Sequence, residues 1–207
     1  MSINFLQGRW IYKVRVRKGN ALDVTEQELM KRAKEGQQDA LEQIFRYHID
    51  SAIRLAYLIT RNWATAEDAV QEAFLQAFRS LASFQDDRPF KPWFTKIVVN
   101  KAKRTKDRLD RGYLPYDMEE VNPHRIYSPE EHALDKEGVD ALFQAINELD
   151  DIHRLPLLLK YVSGLTEAEI AETLGIPASR VKSRLYVARQ RLKKRTELEG
   201  GGRDDDV

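Results

Sequence analysis

The chain has 207 residues, and its 34 Lys and Arg nearly balance its 33 Asp and Glu, so the formal net charge of +1 does not by itself indicate a nucleic-acid partner. It contains no cysteine, which excludes disulfides, thiol catalysis and cysteine-ligated zinc. No apolar run approaches the roughly 18 residues that a membrane span needs, and no signal-peptide core is evident, so we expect a soluble, cytoplasmic protein.

Residues 1–24 differ in pattern from the rest of the chain. Between Trp10 and Arg17, large apolar side chains stand at every second position, which fits a strand better than a helix. We predict an N-terminal extension of unknown role. A loosely attached segment and a partner-binding arm both remain open.

Helical patterns continue from Thr25 to about Arg111. Thr25 to Glu28 forms a capping box, and apolar residues from Leu41 to Ala56 then recur at three- and four-residue intervals. A second capping box, Thr65 to Asp68, predicts the start of the next helix. Gln85 to Pro89 breaks the pattern, and Pro92 suits the first residue of another helix. We therefore predict a helical domain over residues 25–111.

A second helical domain is predicted over residues 129–196. Residues 112–128 contain Pro115 and Pro123 with no sustained period, which is typical of a linker. Ser128 to Glu131 predicts a helix start, and residues 155–162 predict a further helix with Pro156 near its beginning. We expect residues 197–207 to be a disordered tail. The predicted fold class is all-α, with two small helical domains joined by a flexible linker.

The C-terminal domain ends in a predicted helix-turn-helix. Thr166 to Glu169 is a third capping box, and Gly175 followed by Pro177 supplies the turn. Residues 180–195 hold eight basic side chains and no acidic one, so the second helix is predicted to bind DNA, although a solvated basic helix is the alternative. Four arginines are expected to flank the DNA-reading face, where they can reach phosphates: Arg180, Arg184, Arg189 and Arg191. The residues expected on the reading face itself are Ser179, Lys182, Ser183, Tyr186 and Gln190.

An aromatic cluster precedes a basic stretch in the first domain. Phe90, Trp93 and Phe94 come shortly before Lys101 to Arg108. Rings beside cations are what single-stranded DNA binding requires, because bases stack on rings while cations neutralise phosphates. The same residues also fit an ordinary core and a basic helix end, so both interpretations remain open.

Taken together, residues 25–195 resemble the extracytoplasmic-function (ECF) group of bacterial RNA polymerase sigma factors. Three segments in order carry the resemblance: Asp68 to Phe74 (DAVQEAF), Ser83 to Trp93 with Asn100 following, and Val181 to Leu185 (VKSRL). The sequence departs from the family pattern at Ala178-Ser179-Arg180 and at Val187. The identity of the upstream promoter sequence therefore stays open.

The resemblance implies a role for each segment. The first would bind the clamp helices of the largest polymerase subunit, and the second would form a loop, Ser83 to Asp87, that takes a base flipped from the minus-ten element. Trp93 would be mainly structural there, and the second helix of the helix-turn-helix would bind the minus-thirty-five element. The implied polymerase-binding residues are Asp68, Gln71, Glu72 and Phe74. The implied minus-ten residues are Ser83, Phe84, Gln85, Asp86, Trp93, Asn100, Lys101 and Arg104.

The same family implies the partners. These are core RNA polymerase, through its clamp helices and flap region, promoter DNA, and an anti-sigma factor that in some members holds the protein at the membrane. We expect no cofactor and no small-molecule substrate.

Two other classes of function remain to be weighed. A stand-alone helix-turn-helix regulator would explain residues 166–195 but would leave Asp68 to Phe74 without a role. An enzyme fits poorly, because the histidines lack the spacing of a helical metal site and no phosphate loop or nucleophile elbow is present. We expect no catalytic residue and no metal site. The four histidines are His48, His124, His132 and His153.

Overall fold

The structure is a computed structural model and describes residues 4–6, 9–11, 25–85, 88–112 and 136–200. The chain divides into two compact units, Met1–Glu119 and Glu120–Val207. This division falls inside the predicted linker, nearly all of which lies outside the described residues. The exact domain boundaries stay predictions.

A short hairpin occupies part of the N-terminal extension. Strand β1 (Asn4–Leu6) pairs antiparallel with β2 (Arg9–Ile11), and Phe5 stands opposite Trp10. The strand pattern expected near Trp10 is therefore confirmed for Arg9–Ile11, whereas residues 12–24 lie outside the description.

The first unit contains four described helices. They are α1 (Glu26–Lys34), α2 (Gln38–Thr60), α3 (Trp63–Arg79) and α4 (Phe90–Asp110), with a 3₁₀ turn at Leu81–Ser83 between the last two. Helices α2, α3 and α4 pack against one another, and α1 packs against α2. Their buried stripes combine branched aliphatic, alanine and aromatic side chains, and the small alanines allow the helices to approach closely.

The helix starts show which capping predictions were correct. The Thr25 hydroxyl accepts a hydrogen bond from the Glu28 amide at 3.3 Å, as predicted. The predicted cap at Thr65 is wrong, because Asn62 caps α3 and accepts from the Thr65 amide at 2.9 Å. Asparagine is an equally good cap, so the helix starts one turn earlier. Helix α4 likewise begins at Phe90, with Pro92 inside its first turn.

The second unit also contains four described helices. They are α5 (Lys136–Glu148), α6 (Asp151–Tyr161), α7 (Glu167–Leu174) and α8 (Ala178–Gly200). Pro156 lies in the middle of α6 rather than near its start, because the helix begins earlier than predicted. Helix α8 extends to Gly200, past the predicted end of the domain at 196. The predicted disordered tail is wrong for residues 197–200, which are helical, and its remainder, residues 201–207, lies outside the described residues. The predicted cap at Ser128 to Glu131 also lies outside them.

The helix-turn-helix prediction is confirmed by α7 and α8. Thr166 and Glu169 form both bonds of a capping box, and Gly175 ends α7 in the left-handed conformation with φ 64°. A side chain at that backbone conformation would be strained, which explains the glycine. Helix α8 packs on α5, α6 and α7, and its contacts there include the buried residues Val181, Leu185 and Ala188.

Within the part of the chain that the structure describes, none of the helices is both long and apolar enough to cross a bilayer.

Candidate nucleic-acid and protein interfaces

An acidic strip, defined as Asp68, Gln71 and Glu72, lies on the outer side of α3. Asp68 and Glu72 are exposed and Gln71 is half-buried. Their spacing of three and four residues places them on one helix face. The opposite face of α3 is buried against the other helices of the unit, so the strip is held on a rigid element. The residues of that buried face are Ala66, Ala69, Val70, Ala73 and Ala77.

Phe74 does not belong to this surface. Its side chain is 0% exposed, and its ring centroid lies 4.3 Å from that of Phe94 and 4.5 Å from that of Phe45. A partner protein cannot reach it in the folded unit. The implied polymerase contact is therefore corrected to a core position that holds α3 in place.

The candidate minus-ten loop, Ser83 to Asp87, begins at the last residue of the 3₁₀ turn. Ser83 and Gln85 are exposed, whereas Phe84 between them is buried, with its ring centroid 4.8 Å from that of Trp93. Trp93 itself is half-buried, its ring also lies 5.5 Å from that of Phe90 between centroids, and its role stays a prediction. Asp86 and Asp87 lie outside the described residues. The exposed side chains of Ser83 and Gln85 thus flank a residue whose ring is packed against α4.

The aromatic cluster at the start of α4 belongs mostly to the core. Phe90 and Phe94 are buried, with parallel rings 5.4 Å apart between centroids. The two rings also lie against His48. The interpretation of Phe90 and Phe94 as rings on which bases stack is therefore wrong, since no base can reach them without unfolding the unit.

The outer face of α4 carries the other candidate minus-ten residues. Asn100 and Arg104 are exposed on successive turns, and Lys101 lies beside them, half-buried. The Lys101 ammonium donates a hydrogen bond to the Glu72 carboxylate at 3.2 Å. A candidate DNA contact and a candidate polymerase contact, 29 positions apart in sequence, therefore touch each other.

Helix α8 presents the candidate minus-thirty-five residues together. Val181 and Leu185 are buried, and the opposite side is exposed, including Tyr186 with 59% of its surface accessible. Arg184 is half-buried at the edge of this side. The arrangement matches a recognition helix that offers one polar face to the major groove. The exposed members of the predicted set are Ser179, Arg180, Lys182, Ser183, Tyr186 and Arg189.

Two cations at the far end of α8 are engaged by acids of the same unit. Arg191 donates to Asp150 at 3.2 Å, and Arg195 donates to Glu148 at 3.3 Å. Both acids stand at the junction between α5 and α6. The guanidinium of Arg191 thus contacts this junction in the structure, and its place beside the DNA-reading face stays a prediction.

Asp150 contacts two other side chains at the junction. It shares a hydrogen bond with the His153 ring, and it accepts from Arg191. The bond to His153 is the main cause that lowers the pKa of Asp150, and Arg191 lowers it further, against an opposing effect of desolvation. The carboxylate is therefore favoured in its charged form.

Sequence reasoning missed three buried or half-buried polar positions. Arg154 on α6 is only 3% exposed and donates to Asp151 at 2.7 Å. His48 on α2 is buried, with its Nε2 2.7 Å from the Glu26 carboxylate of α1. Lys34 donates to the backbone carbonyl of Phe84 at 2.6 Å. Among the described residues, no cluster of three or more His, Asp or Glu is arranged to hold a metal ion.

Comparison with protein families identifies both units. The Sigma-70 region 2 model matches residues 44–112, and the Sigma-70, region 4 model matches residues 140–192. The acidic strip and the outer face of α4 lie in the first match, and the exposed face of α8 lies in the second.

Curated relatives match almost over their full length. The ECF RNA polymerase sigma factor SigW of Bacillus subtilis (strain 168) is 32% identical over 174 residues, which cover 80% of this chain and 93% of SigW. The ECF RNA polymerase sigma-E factor of Escherichia coli (strain K12) is 30% identical over 181 residues, covering 82% and 93%.

Solved structures show the same fold. CnrH, solved in complex with the cytosolic domain of CnrY, matches with a TM-score of 0.64 at 22% identity, covering 84% of this chain and 97% of CnrH. The sigma factor RpoE of Bartonella quintana, solved with the anti-sigma factor NepR, matches with a TM-score of 0.59 at 23% identity, covering 76% and 96%. The two family models, in this order, together with the near-full-length relatives, show that the chain belongs to the ECF group of RNA polymerase sigma factors.

Proposed function

We propose that this alternative sigma factor binds core RNA polymerase through the acidic strip of α3 and directs it to promoters through α4 and α8. The observation that supports this most strongly is the exposure of Asp68 and Glu72 on a helix whose other face is wholly buried. A stand-alone DNA-binding regulator is not favoured, since it would leave the region 2 match without a function.

The acidic strip suits a protein partner rather than DNA. Carboxylates repel phosphates, and a packed helix presents them with little loss of backbone freedom on binding. Asp68 and Glu72 stand four residues apart on successive turns, so one helix of the polymerase clamp can reach both. The neighbouring pair of Glu72 with Lys101 is solvent-accessible, and exposed pairs exchange partners at little cost.

The minus-ten surface is proposed to combine the candidate minus-ten loop with the outer face of α4. Ser83 and Gln85 offer hydrogen-bonding groups to an unstacked base, while Asn100, Lys101 and Arg104 follow the strand along the helix. Binding energy directed to a flipped base helps to open the duplex. This action uses no catalytic residue, cofactor or small-molecule substrate.

The minus-thirty-five surface is proposed to be the exposed face of α8. Lys182, Ser183 and Tyr186 stand at its centre, where a helix in the major groove contacts base edges. Arg180 and Arg189 stand nearer to the phosphates. We place this activity in the cytoplasm, where promoter DNA and polymerase are found.

An anti-sigma factor is the proposed regulator. One of the two solved structures with the same fold contains an anti-sigma factor, NepR, and the other contains the cytosolic domain of CnrY. Binding of such a protein would compete with polymerase for this chain.

The polymerase-binding proposal is tested by native-gel complex formation with core bacterial RNA polymerase in the absence of DNA. The double substitution Asp68→Ala with Glu72→Ala is expected to weaken the complex at least about tenfold, because two charged contacts are lost together. The matched control removes two other exposed carboxylates of the same unit, with Asp107→Ala and Asp110→Ala, and is expected to bind like the wild type.

Two results would contradict the proposal. A wild-type protein that fails to bind core polymerase would exclude polymerase-dependent function of this chain. Equal losses in both double variants would show that net charge, rather than the acidic strip, sets the affinity. Circular dichroism of each variant establishes that the helices remain folded.

A further inference from the structure

We infer that Lys34, at the end of α1, is a positioning residue for the minus-ten loop, although it lies outside every segment assigned to DNA or polymerase. Its ammonium donates a hydrogen bond to the backbone carbonyl of Phe84 at 2.6 Å, across 50 positions of sequence. The same nitrogen stands 5.8 Å from the centroid of the Phe84 ring. Lys34 thus contacts the residue from which the loop departs.

Phe84 is the point at which the backbone changes from the 3₁₀ turn to the loop. Its amide donates to the Leu81 carbonyl at 3.0 Å, which closes the turn, and its own backbone is extended at φ −70° and ψ 133°. The ring is 7% exposed and packs on Trp93 and Phe90 of α4. Lys34 therefore adds a third attachment, to α1, at a residue already held by the turn and by α4.

The residue that follows Phe84 is exposed. The backbone carbonyl of Gln85 accepts a hydrogen bond from the Arg88 amide at 3.2 Å. The direction in which the chain continues from Phe84 to Gln85 depends on where the Phe84 carbonyl is held, and the charged donor of Lys34 contacts that carbonyl.

Helix α1 is itself firmly placed, so it can act as a fixed support. Leu29, Met30 and Ala33 are buried against the rest of the unit. Arg32 bonds both Gln37 and Asp39 across the turn into α2. Removal of the Lys34 ammonium would leave the part-buried Phe84 carbonyl without this donor, and the loop would sample more orientations.

Because this role rests on the proposed function of the loop, the test separates the two. Holoenzyme assembled from the full-length protein and core polymerase is used to select from a pool of short single-stranded DNA with randomised bases. Sequencing of the bound fraction gives the base preference. Lys34→Met keeps the apolar stem and removes the donor, and Lys34→Arg keeps a charged donor. Lys31→Met removes a charge from the exposed face of the same helix as a control.

We expect Lys34→Met to reduce the preference for the favoured base about tenfold, the size of effect that loss of a charge-assisted hydrogen bond produces. Lys34→Arg should restore most of the preference, and Lys31→Met should leave it unchanged. Hydrogen exchange of the peptide 81–89 should be several-fold faster in Lys34→Met alone. Complex formation with core polymerase should be equal in all four proteins.

The outcomes distinguish the two levels of the hypothesis. A selective wild type with an equally selective Lys34→Met would overturn the positioning role and leave the proposed function intact. An unselective wild type would overturn the proposed function of the loop and this inference with it. Faster exchange along all of α2, α3 and α4 in Lys34→Met would assign Lys34 to general stability instead.

Discussion

At the scale of single residues, the structure separates side chains that hold the surfaces from side chains that form them. Phe74 and Phe84 occur in segments typical of sigma factors, yet both are buried and contact other rings. Asp68 and Gln85, in the same segments, are exposed. Substitutions at the buried positions should therefore reduce folding stability, whereas substitutions at the exposed positions should reduce binding.

Phe74→Ala is expected to lower the free energy of unfolding by about 3–5 kcal/mol, because it removes a fully buried ring and leaves a cavity. Urea denaturation followed by circular dichroism measures this loss. Phe74→Leu, which fills much of the same volume, should cost less and should retain polymerase binding. A loss below about 1 kcal/mol for Phe74→Ala would contradict the core assignment.

At the scale of elements, α8 has two halves with different partners. The first half packs through Val181 and Leu185 and exposes the proposed DNA-reading face. The second half is bonded through Arg191 and Arg195 to the junction of α5 and α6. These exposed ion pairs connect the far end of the helix to the rest of the unit. They also connect the stability of the unit to the protonation of Asp150.

The pH dependence of stability should show how much the Asp150 carboxylate contributes to the stability of the second unit. Its pKa in the folded protein lies below the ordinary value of 3.8, chiefly because of the hydrogen bond with His153. A lowered pKa contributes stability that is present above the unfolded value, about 3.8, and is lost as the pH falls through the folded value. Asp150→Asn should therefore be less stable than the wild type at neutral pH, and the difference should shrink below about pH 4.

Chemical unfolding at a series of pH values measures this difference. His153→Gln should reduce the pH-dependent contribution more than Arg191→Gln, because the bond with His153 has the larger effect on the pKa of Asp150. A stability difference between wild type and Asp150→Asn that stays constant from neutral pH to about pH 3 would contradict the assignment.

At the scale of the whole molecule, basic and acidic residues nearly balance, although one segment is strongly basic. The formal net charge is only +1, yet eight cations and no acid lie between residues 180 and 195. Long-range attraction of DNA by the protein as a whole is therefore weak, and binding depends on local contacts between cations and phosphates. Exposed cations of α8 should each contribute, whereas those paired with acids should contribute less.

Salt dependence of DNA binding tests this distribution. For a duplex of random sequence, measured by fluorescence anisotropy, Arg180→Ala and Arg189→Ala should each lower the slope of log affinity against log salt by about 1. Arg191→Ala is the matched control, and it should lower the slope by less because its guanidinium is paired with Asp150. Equal slopes for all three variants would show that DNA binding does not depend on the exposed cations of α8 more than on the paired one.

The sequence by itself determined the parts of this protein that depend on neighbouring residues. Helical periodicity, the cap at Thr25, the capping box at Thr166 and the turn at Gly175 are local, because they join residues three to five positions apart. They suffice for the all-α class and the helix-turn-helix, whereas the ECF sigma factor family was indicated by the resemblance of three segments in order: Asp68 to Phe74, Ser83 to Trp93 and Val181 to Leu185. Where two good caps competed, as at Asn62 and Thr65, the local pattern was ambiguous.

Only the tertiary structure decided which side of each helix is buried against which neighbour. The packing places the Phe74 side chain in the core rather than on the polymerase-binding surface. It also brings the Lys101 ammonium to the Glu72 carboxylate and the Lys34 ammonium to the Phe84 carbonyl. The last two contacts join residues 29 and 50 positions apart. Such contacts depend on how the helices pack together, a property that no short stretch of sequence contains.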